Sequence, residues 1–182
     1  MLAQHNSPFT RRVVGAGAWA AAVLLLTSIH HAWGAVMFET PWRLEILHLV
    51  VPSAVVILGA LWLGWRTRQH TPARFLFWIA TFVILCIPVA LIGVLEGGYN
   101  HLVKNAVYFT LGEQQAWRLF PAQFYAAGEV EMPSDMVFEL TGIAQFPLGI
   151  LAGMAAFKLL RTVHRPERSM QTPLVTKHMG RL

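Results

Sequence analysis

The sequence predicts an all-α integral membrane protein, a four-transmembrane-helix bundle with an amphipathic connection on the outer face between helices 3 and 4. Three observations predict it. Of 182 residues, 55% are hydrophobic and only 13% charged, about half the charged share of a water-soluble domain. Apolar runs long enough to cross a bilayer, which takes ~20 residues at 1.5 Å rise, recur at about 15–38, 42–65, 75–97 and 136–160. These runs also lack the ~10-residue alternation of an outer-membrane barrel, and hydrocarbon leaves no backbone group unsatisfied, so the spans are helices.

Each element follows from local signals. Span one carries small residues along its length, with Ala18 to Leu26 as its most apolar stretch. Arg11 and Arg12 before it also suit a signal peptide, but His30, His31 and Trp33 make a poor small-residue cleavage site. Span two starts at Thr40-Pro41, an N-cap followed by a proline whose fixed φ suits the first turn. Span three ends near Gly97-Gly98, where a helix is expected to break. Span four starts after Pro133-Ser134-Asp135. Between spans three and four, aromatic and apolar residues from Val103 to Tyr125 alternate with polar ones, as in amphipathic pieces lying at headgroup depth. Residues 1–162 thus read as a single four-helix unit, and 163–182 as a basic cytoplasmic tail.

Charge sets orientation. Eleven of the 14 Lys and Arg lie in the N-terminal tail, around Arg66 to Arg74, or from Lys158 onward; eight of nine acids lie toward the other side. By the positive-inside rule both termini are cytoplasmic, in a bacterial-type inner or plasma membrane. The net charge of +5 flanks helix ends, which excludes nucleic acid as the partner and leaves the lipid bilayer. The one cysteine, Cys86, excludes a disulfide scaffold. The sequence holds no internal repeat, glycine-rich phosphate loop, C-x-x-C or nucleophile elbow.

The informative residues are ionisable groups inside the spans, all in the outer half: His30 and His31, Glu45 and His48, Glu96 with Tyr99 and His101, and Glu139. Counting from the helix ends, Glu45 lies about 6 Å deep and His48, His30 and His31 about 10 Å, with Glu139 about 6 to 8 Å. Charged groups at mid-span cost about 2.5 to 3.5 kcal/mol, less toward the ends, and mark function by default. Glu45-Ile46-Leu47-His48 is a Glu-x-x-His, an i, i+3 pair that supplies two metal ligands in four-helix carboxylate proteins. Adjacent His30 and His31 point about 100° apart, so one of them is expected to face the bundle. Pro52, Pro88 and Pro147 can each kink a span, with Gln145 beside the last.

Several readings stay open. The first is a metal-dependent oxidoreductase acting on a lipophilic small molecule. Its non-haem iron, copper or zinc is held by His30, His31, Glu45, His48, Glu96 and Glu139, with Tyr99 and His101 as catalytic groups. Another is a b-type haem or quinone-linked electron carrier that pairs His30 or His31 with His48. Metal-free acid–base chemistry on a lipid is a further reading. The last is a non-enzymatic accessory subunit of a membrane complex, or a homo-oligomer, in which small-residue faces such as Gly149 with Gly153 meet neighbouring helices.

Overall fold

In the computed structural model, which describes residues 7–70, 72–120 and 135–164, every regular element is a helix. Four helices are long and apolar enough to cross a membrane: Pro8–Met37, Pro41–Arg66, Pro72–Leu111 and Met136–Val163. Helix α1 is Pro8–Met37 and starts seven residues earlier than expected. Ser7 is its N-cap, with Oγ accepting from the Thr10 amide at 3.1 Å, and Pro8 fills the first turn. The second rod begins at Pro41 but winds as a 3₁₀ turn to Ile46 before becoming α2, Leu47–Arg66. Thr40 does not cap it; the Thr40 hydroxyl accepts instead from Arg43 Nε at 2.7 Å.

The third rod differs most from expectation. It comprises α3 (Pro72–Ile84), a π-wound segment (Leu85–Val103) and α4 (Lys104–Leu111), and it passes through Gly97-Gly98 without breaking. Pro88 lacks the N–H that the Ile84 carbonyl would take in an α-helix, and the next donor, Val89, lies five residues on, the π spacing. The burial pattern follows the wider winding. Ile84, Pro88, Ile92 and Gly93, then Gly97 and Gly98 face inward at intervals of four to five residues, followed by His101, Lys104 and Asn105 at intervals of three to four. A 3.6-residue period from Ile84 would have turned Leu91, Leu95 and Leu102 inward, and all three are exposed.

After Gly112, at φ +87° where an L side chain is strained, α5 (Glu113–Leu119) forms a short amphipathic turn that buries Ala116, with Phe120 buried just after it. The rest of the expected outer connection, 121–134, and the tail from 165 lie outside the described residues. The last helix is α6, Met136–His164.

The rods pack as a ring: α1 on α2, α2 on α3, the third rod on α6, and α6 back on α1. The core is built of small and medium residues, including Ala16, Ala20, Val23, Ile57, Ala80, Ile92, Ala152 and Ala156. Large apolar groups such as Leu25, Val55, Trp62, Phe75 and Phe82 are exposed around the outside. Small inside and large outside is the reverse of a soluble core and is how helices pack in hydrocarbon. The tightest approach joins the π segment to α6. A Cβ on Gly97 would lie 2.6 Å from the Phe146 amide nitrogen, and one on Gly93 3.0 Å from Gly149 Cα. Gly153 has ordinary clearance, its nearest neighbour being Val89 at 3.5 Å.

Gly97→Ala is therefore expected to lower thermal stability in detergent by about 1 to 3 kcal/mol through overpacking. Gly59→Ala, where a Cβ would meet nothing within 4 Å, should be neutral or gain up to about 1 kcal/mol of helix propensity. Circular dichroism melting of both variants beside wild type checks the pair.

Candidate metal centre

At the end of the bundle where α1 finishes and α6 starts, polar side chains from three rods meet among buried aromatics. Helix α1 supplies Thr27, His30 and His31; the third rod supplies Glu96, His101, Lys104 and Asn105; α6 supplies Glu139 and Thr141. His30 is 1% exposed and stacks on Phe138, ring centroids 4.1 Å apart. Glycines make the room. A Cβ on Gly34 would lie 2.6 Å from Phe138 Cε2, and one on Gly142 would overlap the His101 ring.

Two carboxylates organise the site. Glu96 Oε1 accepts from His31 Nε2 at 2.7 Å and lies 3.6 Å from His30 Nε2, while Oε2 accepts from the Thr27 hydroxyl at 3.3 Å. Glu139 Oε2 accepts from Asn105 Nδ2 at 2.6 Å and from His101 Nδ1 at 2.9 Å, with Lys104 Nζ 3.6 Å from Oε1. His30 and His101 link the halves edge to face, centroids 4.7 Å apart.

The hydrogen bonds settle the tautomers. The single hydroxyl proton of Thr141 goes to the backbone carbonyls of Val137 and Phe138, at 2.7 and 3.0 Å, so its oxygen accepts from His30 Nδ1 at 3.0 Å. A carboxylate can only accept, so His101 Nδ1 carries the proton toward Glu139. In the neutral form of each ring the lone pair is then on Nε2. One ligand atom each from His30, Glu96 and His101 lie within 4.8 Å of one another. Two imidazoles and a carboxylate gathered this closely are a donor set that could hold a cation. Ring N–H bonds to a hydroxyl and a carboxylate are also the supports that orient metal-ligating histidines.

At the water-facing edge, Asp135 caps α6. Its Oδ1 accepts from the Phe138 amide at 2.7 Å and from Trp33 Nε1 at 2.9 Å, and these bonds hold the carboxyl below its ordinary range. Arg43 is buried with its guanidinium 5.0 to 5.5 Å from the ring centroids of Phe38, Trp42 and Phe138.

Of the expected residues, His30, His31, Glu96, His101 and Glu139 come together, and both histidines of the α1 pair reach Glu96. Glu45 and His48 do not join them; both are exposed on the second rod. Inward positions there run Arg43, Val50, Ser53 and Ile57, a stripe that leaves the Glu-x-x-His on the outer surface. The pairing of His30 or His31 with His48 across a haem is therefore not formed. Tyr99 also stands apart, its hydroxyl donating to the Leu119 carbonyl at 3.2 Å and its ring against Phe120. Sequence reasoning missed Lys104, Asn105, Thr27, Thr141 and Arg43. A back-extrapolated stripe from Ile57, Ser53 and Val50 would have found Arg43; Lys104 and Asn105 needed the π register.

Comparison with family models, with curated proteins and with solved structures finds no match.

Removing one member of the buried Lys104–Glu139 pair takes a counter-charge from the other, so Lys104→Met and Glu139→Gln should each destabilise by about 3 to 5 kcal/mol. The double variant should cost less than the sum, with coupling of about 0.5 to 3 kcal/mol, as read from a double-mutant unfolding cycle.

Proposed function

We propose that this chain is a multi-pass membrane protein that binds one transition-metal ion through His30 Nε2, His101 Nε2 and Glu96, and acts as a metal-dependent oxidoreductase on a lipophilic substrate. The observation that carries the reading is the convergence of those three donors within 4.8 Å, with both ring protons already committed elsewhere. Two histidines and one carboxylate with further positions open suit non-haem iron first, and zinc or copper by the same ligand chemistry. When bound, such an ion supplies redox or Lewis-acid chemistry. The chain's own residues do the positioning: Thr141 and Glu139 orient the imidazoles, and His31 and Thr27 orient Glu96. The substrate class follows from the exposed apolar faces around the bundle, which give lipid-soluble molecules direct access. With the basic residues inside, both termini are cytoplasmic and the centre lies in the outer half of the bilayer.

A second reading, a non-enzymatic subunit whose cluster is a structural network, is favoured by the partners gathered on Glu139 from three different residues. Metal analysis separates the two. Full-length protein purified in detergent should carry about one iron, copper or zinc per chain, lost in His30→Ala, His101→Ala and Glu96→Ala. Because Glu45 and His48 are exposed, Glu45→Ala and His48→Ala should keep it. A folded wild type that takes up none of the three ions overturns the metal reading. For any variant that fails to fold, cobalt(II) absorption of the wild type, with or without bands of histidine–carboxylate ligation, decides instead.

Orientation has its own check. In a Cys86→Ser background, cysteine at Glu113 should be labelled by impermeant maleimide on intact cells and cysteine at Arg68 should not; the reverse pattern refutes cytoplasmic termini.

A further inference from the structure

At the end of the bundle opposite the metal centre, a groove of about 400 Å³ runs between α1 and α6. Three cations border it: Arg11 and Arg12 from the start of α1, and Lys158 from the last turns of α6. The rest of the lining is apolar or small, notably Gly15 and Trp19 on one wall and Leu151 and Met154 on the other. We infer that this groove is a binding site for one anionic phospholipid, its phosphate held by Arg11, Arg12 and Lys158 and an acyl chain lying along the apolar walls.

Charge is the first argument. The acids among the described residues, Glu39, Glu45, Glu96, Glu113, Asp135 and Glu139, all belong to the other end of the bundle. None of them neutralises this mouth, and no ion pair of the three cations occurs among the described residues. The Arg12 guanidinium donates to the Thr162 hydroxyl and so is held across the gap between the two helices. The N-terminus of α1, with Pro8 on the groove, adds the positive end of its dipole. Basic pockets between spans on the cytoplasmic side are suited to acidic headgroups.

Shape is the second. The two helices pack together in opposite directions. Arg12, Gly15 and Trp19 follow one another on α1 at helical spacing, and Lys158, Met154 and Leu151 do so on α6. From the cations to Trp19 and Leu151 is seven residues, about 10 Å along either axis. A phosphate at the mouth therefore has an apolar trough beneath it long enough for the upper part of an acyl chain. Free phosphate has no use for that trough, which is why the site is assigned to a lipid.

Gly15 supplies the third. A Cβ built there would meet no protein atom within 4 Å, so no neighbouring helix requires a glycine. Glycine in a helix interior is disfavoured by about 1 kcal/mol against alanine. Its effect here is to leave the wall of the groove open, and a bulkier residue would fill the groove without disturbing the fold. Trp19 and Met154, 38% and 51% exposed, flank the same space.

The inference shares with the metal reading only the spanning of a membrane, and it fails or stands separately. The test uses full-length protein, delipidated in nonionic detergent, with thermal unfolding and native mass spectrometry as readouts. Phosphatidylglycerol should raise the melting midpoint and remain bound at one molecule per chain; phosphatidylcholine and inorganic phosphate should do neither. Arg11→Gln/Arg12→Gln/Lys158→Gln should weaken the phosphatidylglycerol response roughly tenfold or more, given about one favourable contact per cation. Gly15→Leu, which keeps every charge, should weaken it comparably while leaving metal content unchanged. An equal response to inorganic phosphate overturns the acyl-chain assignment, and an equal response to phosphatidylcholine overturns the anionic one. Should the triple variant fail to fold, Gly15→Leu decides alone: undiminished phosphatidylglycerol binding there refutes the site.

Discussion

The backbone contact between the π segment and α6 is the constraint on which the rest of the molecule depends. Gly93 and Gly97 face Gly142 to Gly149 so closely that a methyl group at Gly97 has nowhere to go. Such contact gives dispersion and close packing, the chief attractions between helices where water offers no hydrophobic driving force. It also determines what stands above it. The π register that turns both glycines inward turns His101 inward four residues after Gly97, then Lys104 and Asn105. Glu96, beside Gly97, meets the end of α1 through His31 and Thr27. An α-register third rod would keep a contact face but send leucines into it, and the polar cluster would lose the side chains that this rod supplies.

Polar groups at this depth are tolerable only together. Alone, each carboxylate or ammonium in the cluster would carry a penalty of a few kcal/mol. Partnered, they form two triads, His31–Glu96–Thr27 and His101–Glu139–Asn105, joined through His30 against His101. The Nδ1 atoms of His30 and His101 are taken up by Thr141 and Glu139, and His30 Nε2 lies 3.6 Å from Glu96 Oε1.

Much of the architecture was legible because it follows from hydrophobic length. Four apolar runs became four rods, and His30, His31, Glu96, His101 and Glu139, expected in one layer of the spans, meet at one end of the bundle. What failed was angular. The sequence pattern puts Glu45 and His48 on an α-helix beginning at Pro41, whereas a 3₁₀ turn precedes α2 and the inward stripe passes through Arg43. Gly97-Gly98 was read as a break because glycine's flexibility is visible in a sequence and a partner helix is not. The extension of the third rod to Leu111 and the burial of Lys104 come from winding, which 3.6-residue periodicity cannot represent.

For a bundle that spans a bilayer as proposed, the depth of the cluster balances two opposed electrostatic demands. Near mid-bilayer, the low dielectric would strengthen every ion pair and ligand bond but make the unpartnered groups too costly to insert. At the surface, water would screen the pairs and fill the ligand positions. His30, about 10 Å below the end of α1, and Lys104 are buried, while Glu45 and His48 at the same end are exposed. The helix ends assist: Glu139 lies in the first turn of α6, where the dipole favours a carboxylate, and the imidazoles lie toward the C-terminal end of α1. The opposite end has no such cluster among the described residues, only cations over apolar walls. The segregation of acids from bases thus leaves one end with the donors proposed to hold a metal and the other with the cations proposed to hold a phosphate.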